Sequence, residues 1–259
     1  MDVTSAHGTS RSTTSPRAFF GLVLLLGVPF WLLGALSGAR LPATLPVSAL
    51  GFVCPLVAAV ILVRREEGGA GVRQLLRRIF DQSRITRRRW YLPTFLLMPA
   101  IVLAAYLLMR LSGQPLPEPR ISLLTGLVYC VVYFVAAAAE EVGWTGYVTD
   151  PLQRRWGALG AGVLIGSVWA VWHVVPWLQV RDVRWTVWQC VLTVAARVLI
   201  VWLYNNTGRS VFAAIVCHAT INVSYSLFPN EGSHYDPAFV GAVMVVAVVV
   251  VTCSGTRQP

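Results

Sequence analysis

Apolar residues along this chain arrive in blocks, without the alternation of a half-buried strand or the one-sided stripe of a soluble helix. Eight such blocks, at 18–37, 45–63, 91–111, 121–147, 157–178, 185–204, 211–228 and 238–253, are each about 20 residues long and nearly free of charge. A hydrocarbon core of about 30 Å is crossed by about 20 helical residues, so each block predicts one spanning helix. The connectors are short, which leaves a single membrane domain over 18–253 and no space for a separate soluble one. The expected fold is all-α, a polytopic bundle of about eight transmembrane helices in a multi-pass cell-membrane protein. Pro29, Pro55 and Pro99 lie inside blocks and predict kinks. The first block is followed by further spans and reads as a retained helix rather than a cleaved signal.

Composition agrees, with 56% hydrophobic residues, 12% charged residues and a mean hydropathy of +0.65. Charge changes the picture only once its position is considered. All 21 basic residues are Arg, and a net charge of +10 read without position would suggest nucleic acid. Nine of them (Arg64, Arg65, Arg73, Arg77, Arg78, Arg84, Arg87, Arg88 and Arg89) fall in the one long connector, which the positive-inside rule places in the cytoplasm. Counting spans from that anchor puts both termini inside and gives 15 cytoplasmic arginines against 5 outside, with Arg197 within a block. No nucleic-acid partner is expected. Within the connector Val72, Leu75, Leu76, Ile79 and Phe80 recur at helical spacing between arginines, the pattern of a helix lying on anionic lipid.

Residues 1–17 have no apolar periodicity and predict a disordered cytoplasmic tail, and 254–259 predict a short second one. The five cysteines (Cys54, Cys130, Cys190, Cys217 and Cys253) form no CxxC pair and read as small buried residues.

Ionisable groups at membrane depth are costly and mark function. Those in the blocks are Glu140, Glu141, His173, Arg197 and His218, with the amide of Asn222 beside them. Trp169 and His173 are four apart and share a helix face, as do His218 and Asn222. Carboxylate plus imidazole is a minimal kit for activating water, and imidazole plus amide can donate to an oxyanion. A glutamate with two histidines is equally a zinc-like ligand set, with His173 and His218 as the metal candidates. Either set points to hydrolysis inside the membrane. The chain has no HExxH and no Gly-x-Ser-x-Gly, and Tyr235-Asp236 lacks a Gly-x-Gly-Asp partner, so other intramembrane protease classes drop out. A proton-coupled transporter would use similar groups but has no broken-helix repeat here.

These residues resemble the CPBP (Abi) family of intramembrane proteases, which includes CAAX prenyl endopeptidases and bacteriocin-processing and immunity proteins. The resemblance covers about 123–224. The family motif Glu-Glu-x-x-x-Arg looks like Glu140 to Thr145, Phe-x-x-x-His looks like Trp169 to His173, and His-x-x-x-Asn is matched by His218 to Asn222. It implies an endopeptidase acting on a membrane-bound peptide or protein, lipidated in some relatives. Glu140 would be the general base, Glu141 would orient the water, His173 and His218 would partner the water or a divalent metal, and Asn222 would serve the oxyanion. A non-proteolytic immunity or regulatory protein on the same scaffold is the alternative.

Two positions depart from the motifs. Trp169 for Phe keeps an aromatic wall and is expected to matter little. Thr145 for Arg removes the cation one turn after Glu141, and Arg197 either snorkels to the surface or replaces that cation from across the bundle. A register conflict accompanies them: Glu140 sits near one end of its block and His173 far along the next. The connector VTDPLQRRWG must then be partly embedded, or the fourth helix must run deeper than its block.

Overall fold

A computed structural model describes residues 15–41, 45–229 and 231–254. Most of the two expected tails lies outside them. Of the N-terminal one, residues 15–17 are ordered, with Ser15 Oγ accepting from Ala18 N at 3.3 Å and Pro16 opening the first helix.

The described residues form eight α-helices and no strand, apart from one isolated bridge between Arg40 and Pro46. They are α1 (Pro16–Ser37), α2 (Cys54–Arg77), α3 (Tyr91–Leu111), α4 (Leu123–Glu141), α5 (Asp150–Leu178), α6 (Val183–Asn206), α7 (Val211–Leu227) and α8 (Pro237–Ser254). Six helical runs are long and apolar enough to cross a membrane, and α7 is a shorter apolar helix beside them. The protein is a polytopic helical membrane protein.

The expected Arg-rich amphipathic segment is the far part of α2. Gly68, at φ 67°, breaks the helix, and Leu75 beyond the break is buried while Arg73 and Arg77 are exposed. Arg78 does more than face lipid. Its guanidinium donates to Gly146 O, Tyr204 Oη and Arg209 O at 2.8–3.1 Å and so ties the segment to α6 and to the start of α7. Asp81 caps α7, accepting from Ser210 Oγ, Val211 N and Phe212 N at 2.8–3.2 Å, where the positive end of the helix favours an anion.

The connector after Glu141 is not a loop. Residues Val142–Thr149 continue α4 as a π-helix and α5 follows directly. The whole run Leu123–Leu178 has 56 residues, about 84 Å if straight, far more than a bilayer core requires. It is divided at Gly157, whose φ of 69° suits glycine and no residue with a Cβ. Glu140 lies 17 residues before Gly157 and His173 lies 16 after it, so a reversal there brings both to one depth. The fourth helix runs deeper than its apolar block, and the register conflict disappears.

Small residues set the spacing around the site. A methyl group on Gly166 would lie 2.9 Å from Val194 Cα and 3.0 Å from Arg197 Cβ, and one on Gly162 would lie 3.1 Å from Val198 Cα. These two glycines, four apart, let α6 approach α5 backbone to backbone. Gly143 plays the same part toward α2, where its Cβ would meet Pro55 O at 2.6 Å. Ala137 and Ala138 pack α4 against Ile215 and Ala219 of α7, next to a buried 2.6 Å hydrogen bond between Tyr133 and Ser226.

Candidate active site

Glu140 and Glu141 are the last two residues of α4, at the junction with the π-helix. Thr149 Oγ1 donates to Trp144 O, five residues back, at 2.7 Å. Widened turns of this kind are common at functional sites. Adjacent residues on a helix point about 100° apart, so the two carboxylates leave the helix toward different surroundings.

Glu141 points into protein and is 0% exposed. Arg197 donates to both of its oxygens, from Nη1 to Oε2 at 2.7 Å and from Nη2 to Oε1 at 2.8 Å. Thr145 Oγ1 donates to Oε2, and His218 Nδ1 lies 2.9 Å from Oε1. The carboxylate paired with Arg197 can only accept, so His218 carries its Nδ1 proton. Arg197 is also 0% exposed. It does not snorkel, and the other expectation describes its place: a cation from α6 faces Glu141 where Thr145 brings only a hydroxyl.

Glu140 points the other way, toward a cavity of about 300 Å³ that Trp169, His173, His218 and Asn222 also line. Trp169 Nε1 donates to Glu140 Oε2 at 2.8 Å, which leaves Oε1 available to the cavity. The expectation that Trp in place of Phe would matter little misses this bond, which a phenyl ring cannot make. Trp169 also presents its backbone carbonyl to His173 Nδ1 at 3.0 Å. A carbonyl only accepts, so this ring too holds its proton on Nδ1 and keeps Nε2 for the cavity. The His173 ring is stacked on Trp177, with centroids 5.0 Å apart and planes at 14°. All five residues singled out in the sequence are therefore brought together. Four line the cavity, and Glu141 stands behind His218.

Residues 121–224 match the family described as type II CAAX prenyl endopeptidase Rce1-like. Over that segment the chain is similar to these endopeptidases. It is also similar to CAAX prenyl protease 2 of Methanococcus maripaludis, with 26% identity over 235 residues that cover 82% of this chain and 84% of that one. Every candidate site residue, from Glu140 to Asn222, lies within the matched segment.

Three features of the site are not among those the sequence singles out. The Trp169 N–H is one, because the sequence shows an aromatic ring there and not the direction of its polar edge. Gly162 and Gly166, which bring Arg197 within reach, are a Gly-x-x-x-Gly pair legible in GVLIG. Asp81, which holds the start of the helix bearing His218 and Asn222, had no signal apart from its neighbourhood of arginines. For a divalent ion such as zinc, His173 and His218 would need further ligands. Among the described residues no group of three or more His, Cys, Asp or Glu side chains stands close enough to hold one.

Proposed function

We propose that this Rce1-like protein is an intramembrane endopeptidase of the CAAX protease type, hydrolysing a peptide bond of a membrane-associated substrate with water activated by Glu140. The observation that carries the reading is the division of labour between adjacent carboxylates. Glu140 is tethered through one oxygen and faces a cavity shared with two imidazoles and an amide, while Glu141 is sealed behind one of those imidazoles.

In the proposed cycle a water in the cavity donates one hydrogen bond to Glu140 Oε1 and the other to His173 Nε2. Glu140 takes the water proton as the oxygen attacks the scissile carbonyl carbon, and the carbonyl π pair moves onto its oxygen. That oxyanion accepts from Asn222 Nδ2–H, beside the His218 ring that Glu141 holds through Nδ1. The oxyanion then re-forms the carbonyl, the C–N bond breaks, and Glu140 returns its proton to the leaving amine. General base and acid catalysis of this kind contributes about 10²- to 10⁴-fold. Metal analysis of the purified protein and of His173→Ala tests whether His173 and His218 also bind a divalent ion.

The name of the Methanococcus relative suggests a probe, an internally quenched, prenylated CAAX peptide in proteoliposomes. Wild type is expected to cleave it and Glu140→Gln to lose at least 10²-fold in kcat. Mass spectrometry of membrane-protein termini in cells expressing either form frees the test from that choice of peptide. Identical termini and no cleavage would overturn the protease reading in favour of a non-proteolytic immunity or regulatory protein. Anionic lipid is the proposed partner of the exposed arginines in the 64–89 segment.

A further inference from the structure

The two departures from the family motifs meet at one guanidinium. Arg197 binds both oxygens of Glu141, and its Cζ lies 4.3 Å from the centre of the Trp169 ring. Each of these partners holds a group that faces the cavity: Glu141 holds His218 through Nδ1, and Trp169 holds Glu140 through Nε1 and His173 through its carbonyl. We propose that Arg197 and Trp169 form one positioning unit that fixes Glu140 and His218 relative to each other. The inference rests on the protease reading.

The geometry explains why the two side chains act together. A cation at 145 would belong to α4 itself and lie one turn from Glu141. On α6 the cation spans the gap between α4 and α5, pairing with Glu141 while its Cζ lies over the ring at 169. A phenyl ring there would still offer a face to Arg197 but would leave Glu140 Oε2 without its donor and the general base free to turn. Gly166 is a condition of the arrangement, because a side chain there would meet Arg197 Cβ at 3.0 Å.

The test uses full-length protein in proteoliposomes with the quenched prenylated peptide. Trp169→Phe, although it installs the family's own residue, is expected to lower kcat about 10- to 100-fold, the worth of one hydrogen bond to a charged group, with KM changed less than about twofold. Because Arg197→Leu leaves a buried charge alone and risks unfolding, the pair Glu141→Gln/Arg197→Met serves as the folded variant without charges. It is expected to lose kcat by at least about 10²-fold, and ¹⁵N NMR is expected to show His218 no longer fixed in its Nδ1–H form. Adding Thr145→Arg to Arg197→Leu is expected to restore part of the lost kcat, whereas adding it to Trp169→Phe is expected to restore none. Wild-type kcat in Trp169→Phe, or in the folded double variant with His218 unchanged, would overturn the proposal. Equal cleavage by wild type and Glu140→Gln would instead sink the protease reading, and the His218 spectrum would still report on the positioning unit.

Discussion

An ionised carboxylate at the depth of Glu141 is tolerable only if every lone pair and the net charge are answered locally. Here a bidentate guanidinium, a hydroxyl and an imidazole do so together. Removing one member is therefore worse than removing two. Arg197→Leu is expected to destabilise the fold by about 3–5 kcal/mol, while Glu141→Gln/Arg197→Met lands near wild type. Equilibrium unfolding in mixed micelles, run as a double-mutant cycle, checks this, and equal costs for the single and double variants would contradict it. Half of this arrangement was legible in the sequence. The sequence shows Thr145 where a cation is missing and Arg197 as the one other cation inside an apolar block. The Trp169 indole was not legible, because a sequence reports that a ring is present but not which edge of it faces a carboxylate.

At the scale of elements, the apolar blocks located every helix, since a bilayer imposes length and hydropathy on each span directly. What they concealed was continuity. The polar stretch VTDPLQRRWG reads as a connector, yet its first part is a π-helix and its remainder opens α5, with Asp150 bonded to Tyr204 Oη at 3.2 Å and Gln153 to Asn205 Nδ2 at 2.6 Å. Polar residues there satisfy one another across α5 and α6 instead of ending the helix. The α5–α6 contact is also where element spacing controls chemistry. Gly166→Ala forces a methyl to within 2.9 Å of the Val194 backbone, so α6 must shift. A cost of about 1–3 kcal/mol in unfolding is expected, with a fall in kcat larger than that of Gly160→Ala, whose methyl would meet only the Trp156 side chain at 3.0 Å. At the other end of the site, Asp81→Ala removes the carboxylate that accepts from Val211 N and Phe212 N at the start of the helix that carries His218 and Asn222, where Ser210 remains as the N-cap. It is expected to cost about 1 kcal/mol, read as a lowered thermal midpoint with KM nearly unchanged.

For the molecule as a whole, the fold brings residues far apart in sequence to one depth by a single reversal at Gly157, and the arginine distribution sets which way that depth is approached. With 15 arginines assigned to one side and 5 to the other, the 64–89 segment and both termini are expected in the cytoplasm. On that expectation Gly157 lies on the cytoplasmic side, and Leu41, Pro46, Arg181 and Tyr235, which line the cavity away from that reversal, lie toward the other side. The 21 residues of α3, about 32 Å of helix, separate Arg88 from Glu118 and provide the sharpest test. In a cysteine-free background, Arg88→Cys is expected to react with an impermeant maleimide only in inside-out vesicles, and Glu118→Cys only in intact cells. Labelling of both from one side would show that α3 does not span. The reverse pattern would turn the cavity mouth toward the cytoplasm, and any substrate would then have to arrive from that side.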